Sequence, residues 1–217
     1  YTGGEGVFYP AARVLTTPPH YAYLKIAEGC DNHCTYCTIP SIRGKFRSEP
    51  QRSLVDEAAR LSEDGVKELI VVAQDTTKYG SDLKDGNLTS LLAELCKLDF
   101  KTVRLLYAYP ESVTDELIDF IAEEPKMAKY IDIPLQHISD RVLKRMGRRT
   151  DSDAIRALLR KLRARIPEIT VRSTFIVGFP GESEEDFELL KAFIAEGHID
   201  YAGFFAYARA ELDLIHI

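Results

Sequence analysis

The chain has 217 residues, 45% hydrophobic and 29% charged, with a formal net charge of −6. That length can bury one large core, and no run approaches the roughly eighteen apolar residues of a membrane span, so the sequence reads as a soluble globular domain. The acidic balance argues against a surface built for non-specific nucleic-acid binding. Four cysteines and no signal-like opening segment read as a cytoplasmic chain whose thiols stay reduced.

Residues 1–20, with Gly3-Gly4, Gly6 and Pro18-Pro19, read as an irregular lead-in or linker. Tyr21 to Ala27 is strand-like and is followed at once by Cys30-Asp31-Asn32-His33-Cys34-Thr35-Tyr36-Cys37. The spacing is C-x3-C-x2-C. Three thiolates on one loop suffice for an iron–sulfur cube in which one iron has no protein ligand, and an open metal position implies chemistry. A zinc site would have to recruit His33, which directly precedes Cys34, whereas zinc ligands usually come as two separated pairs. Disulfides fit three clustered cysteines poorly, and Cys96 falls in a helical pattern as a small buried apolar residue.

Leu54, Ala58 and Leu61 mark a helical face that Ser53 is placed to cap and Gly65 to end. Glu68 to Ala73 holds a continuous apolar run, the pattern of a strand covered on both faces, and Leu88 to Leu98 supplies the next helix. Val103 to Ala108 is a third strand, followed by a helix over about Asp115 to Glu123. Tyr130 to Leu135 is a fourth strand, followed by a short amphipathic segment, Ser139 to Met146, and a long helix carrying Ile155, Leu158, Leu159, Leu162 and Ile166. Thr170 to Gly178 is a fifth strand, Ser183-Glu184-Glu185-Asp186 opens a helix with a capping-box pattern, and Tyr201 to Ala208 is a sixth strand. Six βα repeats predict an α/β fold, a partial (βα)6 open barrel resembling an incomplete TIM barrel. A doubly wound sheet is the runner-up, but no glycine-rich phosphate loop follows any strand. Either architecture gathers ligands at the carboxyl ends of the strands, where the cysteine loop lies.

C-x3-C-x2-C with Tyr36 before the last cysteine, after the first strand of such a barrel, resembles the radical S-adenosylmethionine (SAM) superfamily. Glu28-Gly29-Cys30, Ile39-Pro40-Ser41 with Arg43-Gly44, and Ile176-Val177-Gly178-Phe179-Pro180-Gly181-Glu182 are similar to its methylthiotransferases. Ala73-Gln74-Asp75-Thr76-Thr77-Lys78-Tyr79-Gly80, Asp132-Ile133-Pro134-Leu135-Gln136-His137 and Val171-Arg172-Ser173-Thr174-Phe175 resemble one branch of them. That branch adds a methylthio group to the β-carbon of an aspartate in the twelfth small-subunit ribosomal protein. The sibling branch, acting on isopentenyl-adenosine in transfer RNA, usually has Gly-Gln-Asn and Pro-Leu-Gln-Ser where this chain has Ala73-Gln74-Asp75 and Pro134-Leu135-Gln136-His137. A non-enzymatic metal-binding module is the other alternative.

The resemblance implies a radical SAM core over residues 21–208, with a 4Fe-4S cluster on Cys30, Cys34 and Cys37, and SAM on its open iron. It also implies a second cluster on an amino-terminal domain and a carboxyl-terminal substrate-docking domain beyond this chain. Residues 209–217 diverge from the family pattern and read as a tail. Partners implied are the ribosomal protein substrate and an electron donor such as flavodoxin or ferredoxin, with nucleic acid only under the transfer-RNA alternative and no membrane. Alone, the fragment is expected to be limited to SAM cleavage. The resemblance sets Gln74 and Asp75 near the SAM amino group, Gln136 near its ribose, Arg172 near its carboxylate and Tyr36 near adenine. Each has a plainer reading: a turn cap for Gln74 and Asp75, an ion pair inside the barrel for Arg172, core packing for Tyr36. His137 reads as a hydrogen-bonded structural group. The cations Arg156, Arg160 and Arg163 read as a solvated helix face.

Overall fold

The computed structural model describes residues 15–84 and 86–208. Most of the lead-in and all of the 209–217 tail lie outside the described residues. Six strands carry the frame: β1 (Tyr21–Lys25), β2 (Glu68–Val72), β3 (Thr102–Leu105), β4 (Tyr130–Asp132), β5 (Thr170–Val177) and β6 (Tyr201–Ala206). Every ladder between them is parallel. Leu24 pairs with Val71, Leu69 with Val103, Ile131 with Val171 and Phe175 with Phe204. The halves β1-β2-β3 and β4-β5-β6 are stitched by backbone bonds from Val103 N to Lys126 O and from Ala108 N to Asp132 O, both 2.8 Å. Among the described residues no ladder joins β6 back to β1, so the sheet curls into the expected open barrel.

Among the described residues seven α-helices lie between these strands: α1 (Ile39–Arg43), α2 (Gln51–Glu63), α3 (Leu88–Cys96), α4 (Asp115–Glu123), α5 (Asp140–Arg145), α6 (Ser152–Arg165) and α7 (Glu184–Ala195). Their inward stripes meet the sheet in one apolar core: Leu54 and Leu61 from α2, Leu91 and Leu95 from α3, Ile118 and Ile121 from α4, Ile155 and Leu159 from α6, Phe193 from α7. Caps start several of them. Asn87, Thr114, Asp151 and Ser183 each accept a bond from a first-turn amide, satisfying donors that the helix itself leaves open. No helix among the described residues is long and apolar enough to cross a membrane.

The structure departs from the sequence expectations at several places. Ser53 does not cap α2: the helix starts at Gln51 after Pro50, whose φ of −55° directs the chain into it, so Ser53 sits inside the first turn. The first strand stops at Lys25, because Ala27–Glu28 leaves it to pair antiparallel with Arg47–Ser48. The third strand ends at Leu105 instead of reaching Ala108, since Tyr107 takes a φ of 59°. β4 ends at Asp132, two residues before Pro134, which has no N–H for a ladder. The α6 cations are not a free solvated face: Arg156 pairs with Glu196 at 2.7 Å and Arg163 with Asp200 at 2.5 Å.

Candidate metal centre

The cysteine loop leaves the carboxyl end of β1 and is pinned from several directions. Gly29 turns with a φ of 78°, and the Cys30 amide donates to Gly44 O at 3.2 Å. The Phe46 amide donates to Asp31 Oδ1 at 3.2 Å, closing the loop on itself. Thr35 reaches the turn after α5, its amide donating to Met146 O at 3.0 Å and its hydroxyl to Arg145 O at 2.9 Å. Asn32 Nδ2 donates to Asp75 Oδ2 at 2.9 Å, tying the loop to the end of β2.

All three thiols are free, with Cys30 buried and Cys34 and Cys37 partly so. Burial raises the Cys30 pKa; the Asn32 amide, 3.5 Å from its sulfur, opposes that rise. Among the described residues no three His, Cys, Asp or Glu side chains converge tightly enough to share one metal ion. Three unpaired thiols on a loop held by the surrounding barrel do match the ligand count of a 4Fe-4S cube with one open iron. Cys96 lies apart, buried in α3, where burial pushes its thiol up to about 12.

Of the other expected residues, Gln74 and Asp75 follow β2, Gln136 lies past β4, Arg172 sits in the first half of β5 beside the end of β4, and Tyr36 is on the cysteine loop itself. Asp75 is fully buried, with Oδ1 accepting from the Thr77 hydroxyl at 2.5 Å and Oδ2 from Asn32. A carboxylate can accept about four bonds, so it keeps capacity for a cationic amine. Gln74 Oε1 is buried with no partner. Gln136 takes a φ of 72° and is bracketed by β5, donating to Thr174 O and accepting from Ile176 N, both at 2.9 Å. Arg172 projects from β5 and donates from Nη1 to Asp132 Oδ2 at 2.7 Å, the ion pair of its plainer reading. Burial raises the Asp132 pKa despite that partner, and Asp132 Oδ1 is unpaired. Tyr36 packs edge-on against Phe179, ring centroids 6.4 Å apart, in an apolar patch with Met146, Val142 and Ile176.

Sequence reasoning missed two members of the site. Tyr109, just past β3, places its hydroxyl 3.5 Å from Cys34 Sγ. Arg148, from the turn after α5, sets its guanidinium 3.9 Å from the centre of the Tyr109 ring and donates from Nη2 to Pro134 O at 2.9 Å. Burial raises the pKa of the Tyr36 and Tyr109 phenols, keeping both protonated and able to donate. Nothing in the sequence separates Arg148 from the surface cations Lys144, Arg145 and Arg149 around it. His137 is fully buried, its Nδ1 accepting from the Ser139 amide at 3.0 Å and its Nε2 3.6 Å from Glu182 Oε1, as a structural group should be.

Fold and site together define a class: a parallel α/β barrel with a loop of three free cysteines at its rim, a scaffold suited to chemistry that a cofactor supplies. The sequence model of the Radical SAM superfamily matches residues 24–194, and the chain belongs to that superfamily. It is 52% identical over 212 residues to the ribosomal protein uS12 methylthiotransferase RimO of Alkaliphilus oremlandii, covering 97% of this chain and 48% of that protein. It is 57% identical over 201 residues to the protein of the same name from Caldanaerobacter subterraneus, covering 92% of this chain and 46% of that one. The chain spans about half the length of the curated relatives it matches. Among solved structures, the radical SAM methyltransferase TsrM from Kitasatospora setae, with cobalamin and a [4Fe-4S] cluster bound, superposes with a TM-score of 0.71 at 19% identity, over 88% of this chain and 37% of that one. Methylornithine synthase (PylB) superposes with a TM-score of 0.61 at 11% identity, over 88% and 54% of the two chains. At those identities the likeness is one of fold.

Proposed function

We propose that this chain is the cluster- and SAM-binding core of a methylthiotransferase that, as a full-length protein, modifies an aspartate of the twelfth small-subunit ribosomal protein in the cytoplasm. The observation that carries the reading is the loop of three free thiols fixed against Asp75 and Tyr109 at the barrel rim. The relatives' shared name supplies the substrate class.

Cys30, Cys34 and Cys37 would hold a 4Fe-4S cluster as thiolates. With SAM on the open iron, such a cluster supplies one-electron reductive cleavage of a carbon–sulfur bond and hence a hydrogen-abstracting radical. The chain's own residues bind and orient. Asp75, buried and holding acceptor capacity beyond Asn32 and Thr77, would accept from a SAM ammonium, while the unpaired Gln74 Oε1 offers a second acceptor beside it. Arg172 keeps one edge of its guanidinium on Asp132 and offers the remaining donors to a carboxylate. Gln136, turned out of the strand by its positive φ, offers its amide to a ribose. The Tyr36, Phe179 and Tyr207 rings form an apolar wall that keeps water from a flat heterocycle. The electron comes from a partner such as flavodoxin or ferredoxin, and the transferred sulfur from a second cluster on another part of the full-length protein.

The test is anaerobic reconstitution with iron and sulfide, then counting both per chain and assaying 5'-deoxyadenosine after reduction in the presence of SAM. Cluster and cleavage are expected for the parent chain and for Cys96→Ala, and neither for Cys34→Ala. A colourless chain that retains zinc and leaves SAM intact would refute the reading. Full-length protein assayed by mass shift on the ribosomal protein and on isopentenyl-adenosine transfer RNA separates the two substrate branches.

A further inference from the structure

We propose that Tyr109 and Arg148 set the reduction potential of the cluster held by Cys34, through a phenol-to-sulfur hydrogen bond and a buried guanidinium, both favouring the reduced form. The inference rests on the cluster ligation proposed above.

The Tyr109 hydroxyl and Cys34 Sγ are 3.5 Å apart, and in the free thiol either atom can donate. A ligating cysteine is a thiolate with no proton, so on cluster binding the phenol is the donor and the sulfur the acceptor. Arg148 stands behind this contact. It is 7% exposed and stacked on the Tyr109 ring at 3.9 Å, its Nη2 is on Pro134 O, and its nearest carboxylate influence, Glu111, acts on it by charge with no ion pair between them among the described residues. Its Nε is buried with no partner. A buried cation with no ion pair and a spare donor is costly unless further negative charge shares its surroundings. The cysteine thiolates of a cluster are such a group.

The physical consequence follows from charge. Adding one electron to the cluster makes it more negative, so a donor aimed at its sulfur and a nearby cation stabilise the reduced form more than the oxidised one. Hydrogen bonds to the sulfurs, local charge and solvent exposure are the protein's levers on such potentials. Burial keeps the Arg148 field from being screened as a surface charge would be. Neither residue ligates iron in this arrangement, and each acts through the sulfur or the field around it.

The test compares the parent chain with Tyr109→Phe and Arg148→Gln, each reconstituted anaerobically and titrated with dithionite while the reduced cluster is followed by electron paramagnetic resonance. Iron content and circular dichroism are expected to be unchanged. The one-electron reduction equilibrium is expected to be about tenfold less favourable in each variant, a midpoint about 59 mV more negative. Tyr109→Phe removes one oxygen and keeps the ring, so it decides the question even if Arg148→Gln fails to fold. Arg148→Lys, which keeps the charge, is expected to restore part of the shift. A Tyr109→Phe midpoint equal to the parent's, at full iron content, overturns the tuning role while leaving the cluster intact. A parent chain that takes up no iron overturns both this inference and the function it rests on.

Discussion

At Gly29 a β-carbon would stand 2.2 Å from Lys45 O, on a backbone whose φ of 78° already disfavours any other residue. Two penalties coincide there, one steric and one conformational. Gly29→Ala is expected to destabilise the fold by about 1–3 kcal/mol and to lower iron retention in the adjacent loop, checked by urea unfolding and by iron counting after reconstitution. An unchanged midpoint and full iron would mean that the loop can shift aside. The sequence showed this glycine within the Glu28-Gly29-Cys30 motif but not the contact with Lys45 that requires it. Single residues were legible where their chemistry is unusual, as with the three cysteines, and illegible where burial alone makes them special. Arg148 is the clearest case: its surroundings, not its type, distinguish it from Arg149 next to it.

The elements β4 and β5 end in two loops locked together. His137 links them from the first loop, its Nε2 facing Glu182, while in the second loop Glu182 Oε2 accepts from the Phe179 amide at 2.9 Å. Nearby, Asp186 accepts from the Ser139 hydroxyl at 2.6 Å and pairs with Arg141. Burial lowers the His137 pKa below its ordinary 6.5, outweighing the Glu182 and Asp186 carboxylates that pull it up. Below that ordinary value the unfolded chain therefore binds the proton that the folded chain resists. Stability contributed by this group is full above about pH 6.5 and drains as pH falls towards the lowered pKa, with a slope of at most about 1.4 kcal/mol per pH unit. Urea unfolding from pH 7.5 to 5.5 should show that slope in the parent and a flatter one in His137→Gln; identical slopes would remove His137 as its cause. Helices and strands were readable because apolar spacing of 3.6 or a continuous apolar run records which face is buried. Their ends were less so, because Pro50, Tyr107 and Pro134 stop or redirect the chain through backbone geometry that periodicity does not encode.

The molecule as a whole is an open sheet with unequal edges. β6 is exposed on both faces, with Tyr201 at 64%, Phe204 at 51% and Phe205 at 62% exposure. An exposed apolar edge strand is a template for pairing with another chain. Concentration-dependent association is therefore expected, measured by light scattering, and Phe205→Lys should reduce it without lowering the melting temperature; unchanged scattering would place the sticky surface elsewhere. Beyond the carboxyl end of β1, the cysteine loop is held by residues far along the chain: Thr35 donates to Arg145 across 110 positions, and Asn32 to Asp75 across 43. The order of assembly follows. During synthesis the three cysteines emerge well before the residues that arrange them, so the site matures only when the fifth helix has docked. Iron insertion under the proposed function would then be a late, post-translational event, because the contacts of Thr35 with Arg145 and Met146 that hold the thiol loop require α5 to be in place.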